Sequence, residues 1–184
     1  MRLTLLPHPD TPCRALTGID VEVVRTAEGA LELHYFVMGK VGSLVIPPPA
    51  EPVRSDGLWQ HSCFEAFVRS GSGASYHEFN FSPSTAWAAY RFSDYRTGMH
   101  IAARVPPPEV SARQTSKSYV LSATVPLADV PGISDKAVWQ LGLSAVIEEI
   151  SGAKSYWALA HHPGKPDFHH QDCFALQLPP PEAL

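Results

Sequence analysis

The sequence predicts an all-β chain folded as a single-domain antiparallel β-sandwich. Three observations carry that expectation. Short apolar runs alternate residue by residue with polar ones, the period of a strand with one buried face. Eighteen prolines and repeated Gly/Ser/Asp clusters end those runs at intervals too short for long helices. At 184 residues the chain suits one domain, set at 1–184 with its core from about 19 to 178, and can bury a real core without staples.

Taken in order, Ile19–Arg25 and Leu31–Gly39 form a hairpin closed by Ala27-Glu28-Gly29. Leu31, Leu33, Tyr35 and Val37 mark its buried face. Leu44-Val45-Ile46 is a short extended piece, and Pro47-Pro48-Pro49 a stiff connection. Three strands follow, Trp59–Arg69, Tyr76–Ser82 and Trp87–Ser93, separated by Ser70-Gly71-Ser72-Gly73 and Ser82-Pro83-Ser84. Ile101–Val105, Ser111–Gln114 and Ser118–Pro126 continue the pattern, and Leu127–Val130 makes one helical turn before Pro131-Gly132. Trp139–Glu149, Ser155–Ala160 and Cys173–Leu178 are the last strands.

The three central strands hold most of the chemistry. Period-2 sorting places Phe64, Ala66 and Val68 on one side, with Glu65 and Phe67 on the other. It likewise separates Phe79 and Phe81 from Glu78 and Asn80. If the apolar sides meet in one core, His61, Glu65, Glu78, Asn80, Trp87 and Arg91 share the opposite face. Two readings stand there: a solvated face with ordinary cross-strand pairs, or a binding surface for a ligand with apolar and hydroxyl edges.

Hydrophobic content of 45% and a formal net charge of −4 belong to an ordinary globular protein, and no basic run suggests nucleic acid or an anionic membrane. The apolar run Leu3–Leu6 stops at Pro7 without the h-region of a secretory signal. Cys13, Cys63 and Cys173, odd in number and far apart, fit free thiols. The expectation is a cytoplasmic protein.

Trp59 with Cys63-Phe64-Glu65-Ala66-Phe67-Val68, then Tyr76-His77-Glu78-Phe79-Asn80-Phe81-Ser82-Pro83 and Trp87, resembles the DOMON-like superfamily. Within it, the similarity is to the branch near family 9 carbohydrate-binding modules. Trp157-Ala158-Leu159-Ala160-His161, with Pro166-Asp167-Phe168-His169 and a closing apolar strand, resembles the family's C-terminal signature. Gln60-His61-Ser62 stands where that family has an acidic residue, a departure at its calcium site. The resemblance implies a β-sandwich that binds a small molecule, most simply a saccharide, without chemistry on it. Trp87 and Trp157 would stack the sugar, and Glu78, Asn80 and Arg91 would bond its hydroxyls.

The segment His161–His170 is the most unusual, with four histidines and an aspartate in ten residues. Its plainer reading is a loop rimming the sugar pocket, with His161, Lys165, Asp167 and His169 contacting ligand. The alternatives are a zinc-type metal on those histidines and a haem held by Met38 or Met99 with His161 or His169. A third is a glycoside hydrolase using Glu65 and Glu78 as its paired carboxylates. The reading adopted from these residues has no catalytic residue, no metal ligand and no cofactor. Oligomeric state is left open.

Overall fold

In the computed structural model, residues 1–181 are described. Two antiparallel sheets lie face to face. One has the order β8–β9–β3–β2–β1, from β1 (Arg2–Pro7), β2 (Leu16–Arg25), β3 (Ala30–Gly39), β8 (Glu109–Gln114) and β9 (Ser118–Pro126). The other runs β7–β6–β5–β4–β10–β11, from β4 (Cys63–Ser70), β5 (Tyr76–Phe81), β6 (Trp87–Phe92), β7 (His100–Ile101), β10 (Trp139–Glu148) and β11 (Lys154–Ala158). β12 (Leu176–Leu178) pairs with the start of β10. β1 joins the layers, since Arg2–Leu5 pair with β2 whereas Leu6 and Pro7 pair with β11. No expected strand covers this segment, since of its six residues only Leu5 is buried and no alternation marks a face.

The core forms between the layers as the alternation requires. Ile19, Val21, Leu31, Leu33, Tyr35, Val37, Leu121 and Val125 face Phe64, Ala66, Val68, Phe79, Phe81, Leu141 and Leu143, all essentially buried. Tyr35 spans the interface: its ring lies 5.0 Å from Phe64 and its hydroxyl donates to the Glu65 carbonyl at 2.8 Å. The β2–β3 turn contains Gly29 at φ 79° as expected from Ala27-Glu28-Gly29. Gly39 at φ 133° is required by close approach, since a Cβ there would sit 2.5 Å from the Ala15 carbonyl oxygen.

Several boundaries differ from the sequence reading. Trp59 lies in a 3₁₀ turn, Leu58–Gln60, and the strand begins only at Cys63. His61 is therefore off the sheet, paired with Glu148 at 2.8 Å. Ile101–Val105 shrinks to the two-residue β7, and Cys173 ends a 3₁₀ turn before β12. Among the described residues no helix is long and apolar enough to cross a membrane.

The outer face of the second sheet is not left to solvent. Phe67, Tyr76, Tyr90, Phe92 and Val146 on it are covered by Phe168 and Phe174 from the chain after β11, making a second, smaller apolar cluster. That cover creates the cavity described next.

Candidate functional site

In an antiparallel ladder, directly paired residues share a face. β4 and β5 pair Glu65 with Asn80 and Phe67 with Glu78, so Glu65, Glu78 and Asn80 do share the outer face. β5 and β6 pair Phe81 with Trp87, Phe79 with Ala89 and His77 with Arg91. Trp87 and Arg91 therefore lie on the core side, not beside Glu78 as the shared-face expectation had it. The reason is the connection Ser82–Ala86, closed by the Ser82 N–H on the Ala86 carbonyl at 2.8 Å, with Thr85 at φ 73°. It sets a register that turns Tyr90 and Phe92, not Trp87 and Arg91, toward Glu78.

Trp87 is 4% exposed in the main core, with the Arg54 guanidinium 4.2 Å from its ring. Arg91 stands beside His77 and Gly132. Among the described residues Arg91 makes no ion pair with Glu65 or Glu78. Trp157 is also a core residue, 4% exposed, its indole N–H donating to Ser155 Oγ at 3.0 Å. His161 contacts the Leu6 carbonyl through Nε2 at 2.8 Å, and Lys165 is exposed away from the cavity lining.

The cavity over the outer face has a volume of about 350 Å³. Glu65, Glu78, Arg96 and His169 supply its polar lining, and Trp59, Phe92, Met99, Val146, Tyr156 and Phe168 most of its apolar wall. Of the expected site residues, His169 and Glu78 line it directly. Asn80 and Asp167 act behind them. Trp59 and Arg96 line it as well, beyond the expected contacts: the strand pattern places Trp59 at the start of a strand, and Arg96 lies in a turn with no motif around it.

The polar floor is a hydrogen-bonded relay. Asn80 Nδ2 donates to Glu78 Oε1 at 2.8 Å, and Ser144 Oγ donates to Glu65 Oε2 at 3.2 Å. Burial pushes the Glu65 carboxyl well up, and the neighbouring Glu78 charge adds to it. Burial likewise lifts Glu78 to about 7, against the pull of Asn80 and Arg96. Asn80 Oδ1 is buried without a donor, and Glu65 lies directly across the ladder from Asn80. Burial and the Glu78 charge both favour the protonated form of Glu65, the one form in which its carboxyl can donate a hydrogen bond.

His169 closes the relay. Tyr76 Oη accepts from the Arg96 backbone N–H at 3.2 Å and lies 2.8 Å from His169 Nδ1. The neutral tautomer with its proton on Nε2 turns that proton toward Glu78 Oε2, 3.7 Å away, and lets the Tyr76 hydroxyl donate to Nδ1. Burial, with Arg96 nearby, lowers His169 to about 4. At neutral pH this contact joins a neutral imidazole to the carboxylate and is no ion pair.

Arg96 adopts φ 51°, strained for a non-glycine residue. Its guanidinium reaches Asp167 Oδ1 through Nε at 3.2 Å and Nη2 at 2.7 Å, and Tyr95 donates to Asp167 Oδ2. This clamp ties the turn after β6 to the loop carrying His169. Arg96→Ala is expected to cost at most about 1 kcal/mol, since the pair is half-exposed. The same variant should raise the His169 pKa from about 4, because Arg96's charge helps hold it down. Imidazole proton shifts followed against pH would read that rise, and an unchanged value would show that burial alone sets it.

No family model and no curated protein matches the chain. Among solved structures it is similar to a candidate carbohydrate-binding protein from Bacteroides uniformis ATCC 8492. That likeness has a TM-score of 0.69 at 14% identity and covers 94% of this chain and 83% of that one. At that identity the likeness is one of fold. Looser similarity extends to a family 9 carbohydrate-binding module of Caldicellulosiruptor kristjanssonii, in two complexes. With cellotriose the TM-score is 0.44 at 11% identity, covering 82% of this chain and 72% of that one. With glucose it is 0.46 at 12% identity, covering 87% and 76%. These two are too distant to bear on the ligand.

Proposed function

We propose that the chain is a non-catalytic saccharide-binding module of the DOMON-like, family 9 type, with its site in the cavity over the second sheet. One observation carries the reading. Of four tryptophans, Trp87, Trp139 and Trp157 are 4%, 0% and 4% exposed, whereas Trp59 at the cavity is 38% exposed. The Trp59 ring stands edge-on against Tyr90, 5.7 Å between centroids, which leaves an indole surface for a ligand. An aromatic wall facing oriented acceptors is what a sugar needs, its C–H face on the ring and its hydroxyls donating to carboxylates. Two buried carboxyl groups disfavour uronic acids and sugar phosphates, because a further anion there would raise the cost of ionising Glu78. The predicted class is a neutral mono- or disaccharide. The cavity lies in the roughly 300–1,000 Å³ range of small-ligand pockets.

Glu65 and Glu78 lie on one sheet face, each held by its own neighbour, Ser144 and Asn80, which favours binding over a pair flanking a scissile bond. Tryptophan fluorescence titrated with neutral sugars should show a saturable response. Trp59→Ala should weaken that binding by about 30-fold, near the 2 kcal/mol of an aromatic anchor, with the melting temperature nearly unchanged. Isothermal calorimetry supplies the affinity where the variant loses the optical signal. A flat response across neutral sugars, or hydrolysis of an aryl glycoside by the wild type, would overturn the reading.

A further inference from the structure

The loop after β11 places a second cluster outside the cavity. His162 and His170, eight positions apart, meet with their rings stacked, centroids 3.6 Å apart. Asp172 in the following 3₁₀ turn joins them, its Oδ2 lying 3.3 Å from His162 Nδ1 and 3.4 Å from His170 Nδ1. One ligand atom from each of the three residues lies within 4.8 Å of the other two. From these contacts the geometry points to a site for a zinc-type divalent cation on His162, His170 and Asp172, separate from the saccharide cavity and independent of that reading.

The separations have the right scale. Two donors each about 2.05 Å from a tetrahedral zinc lie about 3.3 Å apart, the spacing already present between the carboxylate oxygen and each imidazole nitrogen. Two imidazoles and one carboxylate suit zinc, cobalt or nickel and not calcium or magnesium, which prefer all-oxygen sets. The Asp172 backbone N–H donates to His170 Nδ1 at 3.3 Å, so that nitrogen is unprotonated, the ring proton sits on Nε2, and a cation would take over the lone pair that now accepts this bond. Without a cation, two imidazoles stacked face to face contact a single carboxylate oxygen. With one, all three groups become ligands and water completes the fourth position. The same loop carries Asp167 and His169, so a bound ion would brace the rim of the cavity from behind.

The test is a titration of tag-free protein with Co(II), read by visible absorption. One equivalent should bind with the intense d–d bands of a four-coordinate site, and Zn(II) should abolish them. Removing a direct ligand should weaken binding beyond the roughly 10–100-fold that losing a supporting partner costs. His162→Gln removes one nitrogen, and His170→Asn removes the other while retaining an acceptor at the start of the 3₁₀ turn. The inference is overturned if no saturable single equivalent binds, or if both variants bind cobalt like the wild type, which would assign the metal to other histidines. Should a variant not fold, histidine-selective NMR of the wild type with Zn(II) decides the matter. Shifts confined to His162 and His170 support the site, and shifts elsewhere refute it.

Discussion

Trp87→Ala is expected to lower the unfolding free energy by about 3–5 kcal/mol while leaving the saccharide affinity of the folded fraction unchanged. The indole is 4% exposed and packs in the main core. Arg54 lies over it at 4.2 Å and donates to the Ala89, Ala102 and Val105 carbonyls, so the ring also supports the partly buried cation fixing the chain beyond β7. Truncation leaves a cavity on one side and an under-packed guanidinium on the other. Urea denaturation gives the stability, and calorimetry below the transition gives the affinity. A stable variant that no longer binds sugar would restore Trp87 to the site and displace Trp59. The two tryptophans thus make opposite predictions, one of stability and one of affinity.

The second large effect is electrostatic. Glu78 has its carboxyl raised from an ordinary 4.5 to about 7 by burial. A carboxyl raised in the fold binds its proton more tightly there than in the unfolded chain. Its contribution is therefore fully present below about pH 4.5 and lost as pH rises through about 7. Glu78→Gln removes that titration and relieves the charge acting on Glu65. The variant should gain roughly 3 kcal/mol on the wild type between pH 4 and pH 8. His77 and His169, both lowered to about 4 by burial, act the other way and lose stability as pH falls from about 6.5 toward 4. They are common to both proteins, so the difference between two urea series reads Glu78 together with its effect on Glu65. A difference independent of pH would show that Glu78 ionises freely in the fold. A gain in stability joined to weaker sugar binding would mark the carboxylate as kept for function at a cost to the fold.

The strands were largely legible because alternation reports burial directly. β9 has the boundaries that Tyr119, Leu121, Ala123 and Val125 implied, and the turn at Gly29 falls where Ala27-Glu28-Gly29 predicted it. Alternation also grouped Glu65 with Phe67 and Glu78 with Asn80, groupings that the β4–β5 ladder places on one face. Each grouping lies within a single strand, where the pleat alone decides which residues point together.

Between strands the pleat has no such authority. Whether Trp87 or Tyr90 stands beside Glu78 depends on the register set by Ser82–Ala86, which composition does not reveal. The exposure of Trp59, and the burial of Trp87 and Trp157, depend on partners brought close only by the stacking of two sheets. Arg96 enters the cavity because Asp167, 71 positions later, holds it there. The sequence by itself determined which residues alternate and therefore that two apolar sheet faces must meet. The tertiary structure decided which of the remaining side chains surround one cavity, because register and loop packing are set by contacts between segments remote along the chain.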